Sequence, residues 1–165
     1  LRMTILARRC DGTAVAPTIN AGGGKFAIAR VCSVKDIAAG DVTTSATVEG
    51  SGTSTHSAGS LSFTVAEATS TSPGALMLTF IATHTGVSTS SSLASLTSDE
   101  PLLIEQTTHV DQGQSTLGDR YTMAVVSGRR VTAGGMGDLT GLIQATSGSA
   151  FVMAITLALK PRTDS

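Results

Sequence analysis

The chain has 165 residues, of which 41% are hydrophobic, 14% charged and 3% aromatic, and its formal net charge is −1. Such hydrophobic content excludes a disordered chain despite the many Ser and Thr, and the missing basic excess argues against nucleic acid, since nothing is available to release counterions from a phosphate backbone. A mean hydropathy of +0.23 is high for a soluble monomer, so part of the apolar surface is expected to meet another subunit.

The length suits one domain spanning residues 1–165, long enough to bury roughly two-thirds of its unfolded surface. No segment approaches the roughly 18 apolar residues of a membrane span, and the most apolar run, residues 150–159, sits between Ser/Gly and Lys160-Pro161 as a core strand would. The opening Leu1-Arg2-Met3-Thr4-Ile5-Leu6 lacks the layout of a secretion signal. Cys10 and Cys32 are accordingly expected to be free, semi-buried thiols.

Taken in chain order, the strand signals begin with a short segment at residues 4–7, then Phe26, Ile28 and Arg30 alternating with Ala27, Ala29 and Val31 after a triple-glycine turn. Val42, Thr44, Ala46 and Val48 alternate with Thr and Ser, and residues 50–60 then read as a polar loop. Leu61, Phe63 and Val65 form the next alternation, followed by residues 75–83. Residues 88–98 carry a serine run that suits a loop better than a helix. Residues 102–109, 120–126, 139–145 and 150–159 complete the set, with Ser147-Gly148-Ser149 predicting a hairpin between the last two. Gly and Pro clusters, such as Ser72-Pro73-Gly74 and Gly134-Gly135-Met136-Gly137, end strands for steric reasons. Eight or nine short strands at even spacing predict an all-β, antiparallel two-sheet sandwich of jelly-roll type.

The last strand has two unlike faces. Phe151, Met153, Ile155, Leu157 and Leu159 form a large apolar face, expected in the core, while Val152, Ala154, Thr156 and Ala158 form a small one. The small face is expected outside, either packed against a neighbouring subunit or as mildly apolar exterior.

Chemistry-bearing patterns are sparse. His56, His84 and His109 lack the paired spacing of metal ligands and read as polar surface or strand-end residues. The chain has no Gly-x-Ser-x-Gly motif, and Gly22-Gly23-Gly24-Lys25 is followed by Phe26 where a phosphate loop needs Ser or Thr. The acidic residues match no EF-hand loop, which leaves a calcium site built from neighbouring loops as the alternative. Sugar rings dock on exposed aromatic faces, and only Tyr121 with four strand-borne Phe residues is on offer. These patterns predict neither an enzyme nor a cofactor. Arg8-Arg9 and Arg129-Arg130 are either interface charges or solvated doublets, and together with Val152, Ala154 and Thr156 they are the candidate interface residues.

Two segments carry a resemblance. Gly24-Lys25-Phe26-Ala27-Ile28-Ala29-Arg30-Val31 resembles the early core strand of small phage-encoded β-sandwich proteins, and residues 147–161, from Ser147-Gly148-Ser149 to Lys160-Pro161, resemble their final hairpin. The layout implies an accessory structural protein of tailed-phage particles, on the head or in the tail. The expectation is a non-enzymatic head decoration or cement protein, located in the virion after assembly in the host cytoplasm. Its partners would be the major capsid protein or other virion subunits, its form a homo-oligomer with a trimer favoured, and residues 1–20 partly an arm lying on a neighbour. A tail-fibre or adhesin module binding a cell-surface glycan is the alternative.

Overall fold

The structure, a computed structural model, describes residues 18, 34, 37–38, 48–57, 62–65, 68–85, 92–98, 103–114, 120–135, 137, 139–144 and 150–162. All regular structure among them is β, in antiparallel pairs. The strands are β1 (Val48–Ser57), β2 (Ser62–Val65), β3 (Thr69–Ser70), β4 (Leu76–Thr85), β5 (Ser92–Ser98), β6 (Leu103–Gln114), β7 (Arg120–Arg130), β8 (Gly134–Gly135), β9 (Leu139–Gln144) and β10 (Ala150–Leu159). A large sheet has the order β1-β10-β4-β7-β6, a small sheet β2-β9-β5, and β3 pairs with β8. The strands expected at 4–7 and 26–31, the arm at 1–20 apart from Thr18, Arg8, Arg9 and both cysteines lie outside the described residues, as does the strand expected at 42–48 apart from Val48.

Four expectations are corrected. The polar loop expected at 50–60 is largely β1, whose Gly50, Gly52, Ser and Thr positions pair along β10. An end strand needs no apolar alternation when the neighbouring backbone supplies its hydrogen bonds. The serine-rich loop at 88–98 contains β5. A register shift between Leu93 and Ser95 sets Leu93 opposite Ile143 and Leu96 opposite Gly141. One extra residue thus converts a spacing of three into the strand period of two, which hid the strand from any test for alternation. The final hairpin is absent, because β9 belongs to the small sheet and β10 pairs with β1 and β4 in the large one.

The fourth correction concerns which side of β10 is inside. Val152 is 5% exposed, Ala154 1% and Thr156 0%, whereas Phe151 is 41% exposed. Met153, Ile155 and Leu157 are half-buried. The small face, not the large one, lines the core, and Leu159 alone of the large face is as deeply buried.

The register extends this inner face across three strands. Val152, Ala154 and Ala158 of β10 lie opposite Thr83, Ile81 and Met77 of β4, which continue to Thr122, Ala124 and Gly128 of β7. Val152, Ala154, Ala158, Met77, Ile81, Ala124 and Val126 join Phe63 and Val65 of β2 in one buried cluster. The inner face is built mostly of Ala, Val and Thr, so bulk must come from the residues that pack onto it. Phe63 supplies much of it. Its ring lies over Gly141, its register partner on β9, where any Cβ would fall within the ring. Small residues inside thus leave clearance for the bulk of Phe63 in the same cluster.

Two buried threonines of the core are matched to each other. The hydroxyls of Thr79 and Thr156, directly opposite in the register, lie 3.2 Å apart and share a hydrogen bond. Burying both together avoids the penalty, about 1–3 kcal/mol, of leaving one buried hydroxyl unmatched.

Candidate functional site

Reversing β10 puts the large side chains of three adjacent strands on the outer face of the large sheet. Its rows follow from the register. Phe151, His84 and Tyr121 form the first, Met153, Ala82 and Met123 the second, Ile155, Phe80 and Val125 the third. Leu157, Leu78 and Ser127, then Leu159, Leu76 and Arg129, complete it. Leu78, Ala82, Val125 and Leu159 are buried, and the other aliphatic and aromatic positions are half-buried or exposed. None of these residues belongs to the buried core cluster. Full burial of such a side chain is worth about 1.5–3 kcal/mol relative to exposure. A half-buried set of this size therefore leaves several kcal/mol unspent in the protomer.

The first row is an aromatic stack assembled from three strands. The His84 ring lies 4.7 Å from that of Tyr121, with planes 18° apart, and 5.9 Å from that of Phe151, with planes 13° apart. These separations are those of favourable ring pairs. His84 is held between two rings, so the stack presents ring edges along the row and leaves the exposed Phe151 at one end. Sequence reasoning placed Tyr121 and Phe151 in separate strands and His84 at a strand end, and missed their meeting. The signal exists: His84 is the next-to-last residue of β4, and Tyr121 and Phe151 are each the second residue of theirs. Antiparallel neighbours bring those positions together, but only once the order β10-β4-β7 is known.

The sequence-predicted interface residues fare differently. Val152, Ala154 and Thr156 point into the protomer's own core and offer no surface to a partner. Arg130, expected either at an interface or in solvent, is 5% exposed. Its Nε donates to the Thr132 carbonyl at 3.1 Å, and its backbone N–H and C=O bond to Ala75 and Gly74. Its Nη2 lies 2.8 Å from where a Cβ on Gly134 would stand, and Gly134 has φ +142°. The guanidinium thus packs along a glycine of β8, tying β7 to the short β3–β8 pair, where Ser70 Oγ also donates to the Gly134 carbonyl at 3.4 Å. Arg130 braces the fold. Arg129, half-buried on the opposite side of β7, donates from Nη1 to the Gly74 carbonyl at 3.3 Å.

Of the histidines, His56 falls on β1 opposite Val152, and His109 on β6 opposite Val125. Among the described residues no three His, Cys, Asp or Glu side chains gather in a way that would hold a metal ion. No helix of the described residues is long and apolar enough to cross a membrane. What the outer face can do chemically is bind by apolar contact and shape. Compared with protein-family models, curated proteins and solved structures, the chain matches none.

Proposed function

We propose that the chain is a non-enzymatic structural subunit of a tailed-phage particle, a head decoration or cement protein folded as a two-sheet jelly-roll sandwich. The observation that carries this reading is the outer face of the large sheet, where large apolar side chains span three adjacent strands outside the buried core. Such a face is what a subunit held in an array by surface fit requires. The sandwich is supported by the joint burial of inner-face residues with Phe63 and Val65 of the small sheet. The jelly roll is supported by nested pairing, with β1 beside β10, β2 beside β9 and β4 beside β7. Rolling up a long antiparallel ribbon produces that order, with successive strands alternating between layers. Strand β6 departs from it by pairing with β7 in the large sheet.

In this reading the partners are the major capsid protein and further copies of the chain, for which three copies is the expected number. The test is co-sedimentation of the purified chain with empty capsids from its own particle. Saturable binding at a fixed ratio to capsid protein is expected, and a chain left wholly in the supernatant overturns the proposal.

A tail-fibre or adhesin module binding a cell-surface glycan is the second reading, favoured by the exposed Phe151 at the end of the aromatic stack. Sugar rings pack on such surfaces. A glycan array separates the two: selective glycan binding that Phe151→Ala abolishes would replace the decoration role.

A further inference from the structure

We infer that Met153, Met123 and His84 form a binding site for a soft monovalent metal ion, copper(I) by its chemistry, on the outer side of the large sheet. The inference does not depend on the virion role, and its residues are brought together only by the strand order.

Placement is the first argument. Met153 of β10 and Met123 of β7 are the two register partners of Ala82 on β4. Strands about 4.8 Å apart put the two methionine backbones roughly 10 Å from each other. Only the short side chain of alanine stands between them. Both methionines are half-buried, and Ala82 is 7% exposed. Methionine is unbranched with three rotatable bonds, so a thioether from each side can reach over an alanine methyl. His84 stands two residues farther along β4 on the same side, about 6.6 Å away along the strand.

Ring orientation is the second. Tyr121 and Phe151 flank the His84 ring from the two neighbouring strands, with planes 18° and 13° from its own. Because both neighbours lie along the row, the imidazole plane runs along the strand. Its nitrogens lie in that plane and are directed along the strand or outward, not at either ring. Nε2 is shielded from solvent.

Donor chemistry is the third. Two thioethers and one imidazole form a soft, neutral ligand set, which favours copper(I) over calcium or magnesium. Zinc takes thiolate, imidazole and carboxylate ligands instead. The aromatic faces beside His84 suit a nearby positive charge. Asp111 holds the β6 position opposite Met123, so an acidic residue continues the same row.

The test uses silver(I), which has the charge and soft character of copper(I) and does not change oxidation state in buffer. It is titrated into the full chain carrying Cys10→Ser and Cys32→Ser, because thiolates also bind such ions. Calorimetry should show one ion per chain, with quenching of Tyr121, the chain's one Tyr in the absence of Trp. Methionine-methyl NMR signals of Met123 and Met153 should shift, while those of Met3, Met77 and Met136 stay in place. Met123→Leu and Met153→Leu conserve volume and keep the fold. Each should weaken binding by at least the roughly 10–100-fold that follows loss of a supporting metal-site partner. His84→Phe, which keeps a ring in the stack, should do the same. Circular dichroism checks that each variant is folded. Copper(I) under anaerobic conditions should repeat the pattern, and zinc should not. No binding once the thiols are removed, binding indifferent to both leucine variants, or methyl shifts confined to the other methionines would each overturn the site.

Discussion

The two faces of the large sheet come from the same strands and solve opposite problems. Inside, Ala154, Ala158, Ala124, Thr79 and Thr156 keep side chains short, so that a second layer carrying Phe63 can approach closely. Outside, Phe151, Met153, Ile155, Leu157 and Phe80 are large and only partly covered. Hydrophobicity alone would place the larger residues inside. Packing decides otherwise, because a core must be filled without overlap, and bulk from both layers at once would force them apart. The lesson is that side-chain size on a strand face reports the distance to the facing layer. It does not report which side is buried.

Substitutions can break or sharpen that contrast. The largest effect is expected at Ile81, fully buried on the inner face. Ile81→Ala should cost about 2–5 kcal/mol in urea unfolding. Ile155→Ala on the outer face, measured under monomeric conditions, should cost about 1 kcal/mol or less, in keeping with surface positions. Equal losses would mean that the outer face is covered within the protomer. Gly141→Ala comes next, because its methyl group would enter the Phe63 ring. Displacing that ring should destabilise by roughly 1–3 kcal/mol, and Gly141→Ala combined with Phe63→Leu should cost less than the sum of the two. No coupling in that double-mutant cycle would remove the claimed close approach.

A smaller effect is expected at the threonine pair. Thr79→Val alone leaves Thr156 without this partner and should cost about 1 kcal/mol. Adding Thr156→Val should return most of it, since two isosteric apolar groups then face each other. An additive loss would show that the hydroxyls are held by other groups. Smallest is Phe151→Ala, expected within about 0.5 kcal/mol in the monomer. It should still alter the near-ultraviolet circular dichroism of Tyr121 through the His84 stack. An unchanged spectrum would break the three-ring row.

Where the sequence alternates among the described residues, the strands it predicts are present. Residues 75–83, 120–126, 139–145 and 150–159 were expected as strands and correspond to β4, β7, β9 and β10 within a few residues. Alternation is legible because each side chain there meets one of two different environments. Strand β1 was illegible for the opposite reason: Gly50, Gly52 and the Ser and Thr around them carry no contrast between faces, and its register comes from its pairing along β10. Strand β5 was hidden by the shift at Leu93/Ser95. Of the site, the sequence listed the large face of β10 residue by residue yet assigned it to the core. The stack at His84 needed the strand order, which pairs residues 84, 121 and 151 across long separations.

From its residues alone this protein was bound to be β-structured, since period-two alternation and Gly/Pro punctuation leave the backbone few other ways to satisfy its hydrogen bonds. Partners, orientation and burial were decided only by the tertiary structure. Local chain chemistry is identical whichever face of a strand turns inward. The choice belongs to the layer that arrives on the other side, here Phe63 over Gly141, and no short-range pattern in β10 contains it.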